Sequence, residues 1–169
     1  MSIKISNYID VKQRALEMGC NIPTELAILP RNFDSARSRS ELYHQNPVPT
    51  IRMLWRQAGL TETKIENKGE RFPYVKDTGF GGWLGPIIYV SASLLKGNPD
   101  IISKALEVIA AYVGAWYRVI PREQKVKLDI VVELANGQGY RRLEYEGDVA
   151  GLTQLASSVH EVAGVNKAG

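Results

Sequence analysis

An α/β (α+β) fold, a mixed β-sheet built around one long buried helix in a single two- or three-layer domain, is the class that this 169-residue sequence predicts. Three stretches carry that reading. Residues 98–120 repeat apolar side chains at three- and four-residue spacing, the period of a helix. Residues 126–134 alternate apolar and polar, the period of a strand, and residues 87–92 form a short apolar run of the kind a buried strand shows. Helical and extended periods therefore interleave along one chain. The expected division is a helical, basic part over residues 1–60, sheet and central helix over 61–164, and a tail over 165–169.

The central helix is the most explicit element. Asn98 is expected to cap it, Pro99 to occupy the first helical position and Pro121 to close it. Ile102, Ala105, Leu106, Ile109, Val113, Trp116, Tyr117 and Ile120 make one apolar face. A second row, Ile101, Val108, Tyr112, Ala115 and Val119, widens it until only Asp100, Lys104, Glu107, Ala111, Gly114 and Arg118 are left for water. Such a helix needs cover on nearly every side, from this chain or from another copy.

In chain order, Ser6 or Asn7 is expected to open a first helix that stops at Gly19, and Leu26–Leu29 to form a buried strand bounded by Pro30. Asp34 heads a polar segment reaching Gln45. Thr50 begins a helix through Ala58, with Ile51, Leu54 and Trp55 on one side and Arg52 and Arg56 on another. Residues 61–66 and 72–75, separated by Asn67-Lys68-Gly69, read as an exposed hairpin. A glycine-rich loop, 77–86, leads into the strand at Ile87, with a helical turn as the alternative near Ser93–Lys96. After the central helix, residues 126–134 and 140–146 form a second hairpin with one buried face and one wet face. A four-residue loop, 136–139, would set Glu133 opposite Arg142, Val132 opposite Leu143 and Ile130 opposite Tyr145. Asp148 then caps a last helix with Leu152, Leu155, Ala156, Val159 and Val162 inward and Gly164 as its stop.

Composition narrows the function classes. An apolar fraction of 44% and a charged fraction of 23% are those of an ordinary globular chain, and no apolar run reaches the length of a membrane span. The N-terminal ten residues contain no signal-like apolar core, so a cytoplasmic location is expected. The single cysteine, Cys20, reads as a small half-buried residue at a helix end. The net charge of +3 resides entirely in residues 1–59, where eight Lys/Arg face five Asp/Glu; thirteen of each follow in residues 60–169. Arg31, Arg37, Arg39, Arg52 and Arg56 carry the excess, a patch suited to an acidic surface, a nucleotide or a nucleic-acid backbone.

No assembled chemistry is legible. Gly79-Phe80-Gly81-Gly82-Trp83-Leu84-Gly85 precedes a strand, whereas a phosphate loop follows one and opens a helix, so Phe80 and Trp83 read as contact-loop residues. Asp129 and Glu133 share a strand face and are the weak candidates for a divalent metal, with a charged surface as the plainer reading. His44 and His160 lack a nucleophile or metal partner at a readable spacing and are taken as surface histidines. No catalytic residue and no cofactor are expected.

The stretch KVKLDIVVELANGQGYRRLEYEGDVAGLTQL, residues 125–155, is a hairpin feeding a capped helix and resembles the ends of small α/β accessory proteins encoded beside bacterial defence effectors. That resemblance implies a bacterial adaptor acting through a larger partner. The reading from the residues agrees: a non-enzymatic interaction module whose partner is another protein or its own copy. The alternatives are nucleotide or nucleic-acid binding through the arginines of residues 31–56, and a metal-dependent enzyme using Asp129 and Glu133.

Overall fold

The computed structural model describes residues 2–76, 80–119 and 124–165. The expectations for Asp77–Gly79, for Ile120 and Pro121 and for residues 166–169 lie outside them. Within the described residues the fold is α+β, with five α-helices and a five-stranded mixed sheet. Among the described residues no helix is long and apolar enough to cross a membrane.

The sheet runs β1 (Ser2–Tyr8), β7 (Tyr140–Gly147), β6 (Val126–Glu133), β5 (Trp83–Val90) and β2 (Leu26–Leu29) from one edge to the other. All neighbours are antiparallel except β5 and β6, which are parallel and need a crossover. That crossover is α3 (Ala92–Gly97) followed by α4 (Ile101–Val119), so the predicted central helix fills the link that a parallel pair demands. The helical alternative at Ser93–Lys96 is realised by α3, whose cap is Ser91: its side chain accepts the Leu94 N–H at 3.1 Å. Two residues, His44–Gln45 (β3), pair in parallel with Tyr74–Val75 (β4) in a separate small ladder.

Alternation along the strands sends side chains to two cores. On one face Ile28, Ile88, Val90, Leu128, Ile130, Val132 and Leu143 meet α2 (Val48–Gln57), α4 and α5 (Leu155–Ala163). On the other, Leu29, Ile87, Tyr89, Val131 and Tyr140 meet α1 (Val11–Glu17) together with Phe33, Leu42, Ile65 and Phe72 from long connections. Side-chain donors hold those connections down. Arg14 Nε donates to the Phe33 carbonyl at 2.8 Å, and Asn32 ties the carbonyl of Glu41 and the N–H of Tyr43. The hairpin face expected to be wet is therefore buried: Asp129 and Val131 have no exposed surface.

Several boundaries move for identifiable reasons. The chain opens on a strand and the first helix starts later, capped by Asp10, because residues 2–8 find a full antiparallel partner in β7. Asn98 closes α3 instead of opening α4, and the Pro99 carbonyl is taken by His160 Nε2 at 2.7 Å. Residues 61–66 and 72–75 do not form a hairpin. Glu62 bridges Leu26 and β4 pairs with β3, since burial of Ile65 and Phe72 in the second core folds the segment across the sheet. The β6–β7 register is shifted by two residues from the expected one: Glu133 faces Tyr140, Ile130 faces Leu143 and Leu128 faces Tyr145. A bond from Leu134 N–H to the Gly139 carbonyl closes the ladder around residues 135–138, and another from Ala135 N–H to the Ala163 carbonyl ties the turn to the end of α5.

On α4 the first apolar row is buried from Ile102 to Tyr117 apart from Trp116, which is half-buried. The second row is covered only in part. Ile101 is buried and Val108 and Tyr112 are half-buried, but Ala115 and Val119 are exposed. Tyr117 anchors the other end. Its hydroxyl donates to the Lys125 carbonyl and accepts the N–H groups of Trp83 and Lys125, tying α4 to the starts of β5 and β6. Two glycines at the start of β5 allow close contact: a Cβ on Gly82, just before the strand, would lie 2.4 Å from the Lys125 carbonyl oxygen, and one on Gly85, within it, 2.5 Å from the Trp83 ring.

Ile109 and Val113 are fully buried. Ile109→Ala is expected to destabilise the protein by about 2–5 kcal/mol through lost burial and the cavity left behind, while Glu107→Ala changes little. Urea denaturation of both variants checks this.

Candidate functional site

The five arginines do not share a surface. Arg31 Nη1 reaches Asp129 at 3.0 Å; Arg39 binds Glu70 through Nε at 2.7 Å and the Met18 carbonyl at 2.9 Å; Arg52 is buried between Glu62 and Glu66. Arg37 is exposed beside Glu41, and Arg56 is exposed. Carboxylates distant in sequence, absent from any local count of charge, claim three of the five. The excess positive charge emerges elsewhere.

Asp129 and Glu133 are also drawn apart in role. One oxygen of Asp129 accepts from both Arg31 and Arg142, and its side chain is wholly buried. Glu133 pairs with Lys12 at 2.7 Å and accepts the Ala92 N–H at the start of α3 at 3.0 Å, in place of the expected partner Arg142. Among the described residues no group of three His, Cys, Asp or Glu is placed to hold a metal. Phe80 lies against Lys125, whose ammonium is 4.7 Å from the ring centre. Trp83 is buried, edge-on to Tyr112 with ring centres 6.3 Å apart.

Neither histidine is on the surface. His160 is buried and bonded to the Pro99 carbonyl. His44 is 1% exposed, its ring stacked on Tyr74 and tilted against Phe72, with Nε2 3.4 Å from Glu66 Oε1. Burial holds the His44 pKa below the ordinary histidine value against the pull of Glu66. Glu66 goes the other way. Burial alone would raise its pKa, but the adjacent His44 ring and the hydrogen-bonded Arg52 guanidinium outweigh that and hold it at about 2. Cys20, at 8% exposure, is more buried than expected, and burial raises its thiol pKa.

Among the described residues, two concave regions and one sheet edge stand out. A cavity of about 440 Å³ lies between α1 and the β6–β7 connection, with Leu16, Ile22 and Tyr140 among its walls and the Lys12–Glu133 pair on its rim. A second, of about 530 Å³, lies between α2 and residues 64–74. The sheet edges differ sharply. β2 is fully buried, and its outer side receives the Thr63 N–H on the Leu26 carbonyl at 2.7 Å. β1 pairs with β7 over all seven residues without a bulge, and among the described residues no hydrogen bond reaches its other side. Its Ile5 is 52% exposed. The sequence hid this edge because Ser6 and Asn7 suggest a helix cap as readily as a strand.

The chain matches no family model, no curated protein and no solved structure.

Asp129→Ala is expected to cost about 3–5 kcal/mol, because it leaves Arg31 and Arg142 without their shared counter-charge. Lys12→Ala, at a half-exposed pair, should cost under about 1 kcal/mol. Chemical denaturation separates the two. Stability should also fall on acidification in two stages. The unfolded chain takes up protons first at both groups, so His44 withdraws stability as pH drops below about 6.5, and Glu66 withdraws more between about 4.3 and its folded value near 2. Thermal melts against pH show both stages, and Glu66→Gln should remove the lower one.

Proposed function

We propose that this chain is a non-enzymatic protein-interaction module that takes an extended segment of a partner protein onto the open edge of its sheet. The observation that supports the reading is β1: seven residues of regular strand, without proline or bulge and with one charge, Lys4, flanked by an exposed Ile5. Unpaired strand edges template further strands, and stable monomers cover, shorten or charge them. Among the described residues this fold covers β2 and leaves the outer side of β1 without a hydrogen bond. Backbone groups on such an edge supply affinity to any extended segment, and alternate side chains supply selectivity, with Ile5 as the apolar contact. The resemblance of residues 125–155 to accessory proteins of bacterial defence systems agrees with an adaptor role.

Strand addition has a spatial signature. A photo-crosslinking side chain placed in turn at Ser2 and Lys4 of the full chain should form adducts in the cell at partner positions two residues apart. The same group at Lys104 on α4 should form none, and Ile5→Asp should reduce the edge adducts severalfold. Adducts from position 104 alone, or adducts from Ser2 and Lys4 scattered without register, would overturn the reading.

A further inference from the structure

The cavity between α2 and residues 64–74 has a charge distribution that the fold does not explain. Five cations and two carboxylates line it. Both carboxylates are already engaged, Glu66 by Arg52 at 2.6 and 3.0 Å and Glu70 by Arg39. The other cations, Arg56, Lys64, Lys68 and Arg71, are all exposed, and among the described residues none of them is in an ion pair. They come from separate elements: Arg56 from the last turn of α2, the others from the connection after it. That connection is held in place. The Glu70 N–H bonds the Asn67 carbonyl at 2.8 Å, Asn67 N–H bonds Glu70 Oε1, and Gly69 takes the positive φ of +81° that presents Lys68 at the tip of the turn.

Cations gathered around one concavity repel one another, and an anion within it relieves that repulsion. The remaining wall is aromatic. Tyr74 is half-buried in the cavity, and its ring is fixed by stacking on the buried His44. A volume of about 530 Å³ is in the range of pockets that hold small molecules. We propose that this cleft binds a nucleotide, with its phosphates held by Arg56, Lys64, Lys68 and Arg71 and its base set against Tyr74. A base on a tyrosine face and oxyanions on arginine and lysine donors are the two contacts such a ligand requires. The site is independent of the β1 edge, at the other side of the sheet order near β2 and α2.

Calorimetric titration of the full chain with ATP, with inorganic tripolyphosphate and with a short single-stranded RNA tests the assignment. ATP should bind tighter than tripolyphosphate, with an affinity that falls as salt is raised. The double variant K68E/R71E, exposed on a turn, should keep its melting temperature and lose roughly tenfold or more of that affinity. Tyr74→Leu should bring ATP down to the level of tripolyphosphate. ATP binding no tighter than tripolyphosphate in the unaltered protein, or unchanged by K68E/R71E, would overturn the proposal. So would tighter binding of the RNA, which would mark a nucleic-acid surface, or no binding by any of the three.

Discussion

A carboxylate with no exposed surface sits in a central strand of the sheet, and much of the second layer depends on it. Asp129 on β6 is met by Arg142 from β7 and by Arg31 from the connection after β2, so one charge fixes a cross-strand neighbour and a distant loop together. Taking three charges out of water is costly, and the arrangement holds only because each has its partner. The energetic weight therefore lies less in attraction than in the penalty for separating them. Arg31 directly follows Pro30 at the end of β2, and this clamp sets where the chain turns back to lay Phe33 and Leu42 on the sheet.

The two faces of the sheet are covered by different means. One is packed by α2, α4 and α5, whose apolar stripes meet the alternating strand residues in the usual way of layered folds. The other is packed by one short helix and by irregular chain, and irregular chain must satisfy its own backbone groups. Arg14, Asn32 and Arg39 do so by donating to carbonyls of the loops. Arg31 and Arg39, which the sequence places in a surface patch, are thus structural fasteners of a layer built largely from irregular chain.

That division explains what was legible. The helices α4 and α5 were readable because the helical period states which face is buried; β6 and β2 were readable as strands, although the face of β6 that looks wet in the sequence is buried as well. Burial of Ile109 and Val113 followed directly. The β6–β7 register was not readable, since a shift of two residues leaves every side chain on the same face and the hydrophobic pattern is blind to it. Nor was the second core, for Phe33 stands in a segment with no period, and Ile65 and Phe72 stand in one that reads as an exposed hairpin. The cationic cleft escaped for a related reason: local sequence counts Arg56 with Arg52, whereas the fold pairs Arg52 internally and gathers Arg56 with Lys68 and Arg71.

The placement of β1 reaches beyond the finished structure. Among the described residues it pairs with β7 alone, and Ser2 lies opposite Glu146, so the earliest strand of the sheet to be synthesised waits for the last before either of its sides is satisfied. Closing so long a loop is slow relative to forming the contacts of α4 with its neighbours. A nascent chain would present residues 2–8 as unpaired strand on both sides while the rest of the sheet condenses, the stage at which a chaperone or a second nascent chain has its widest access to them.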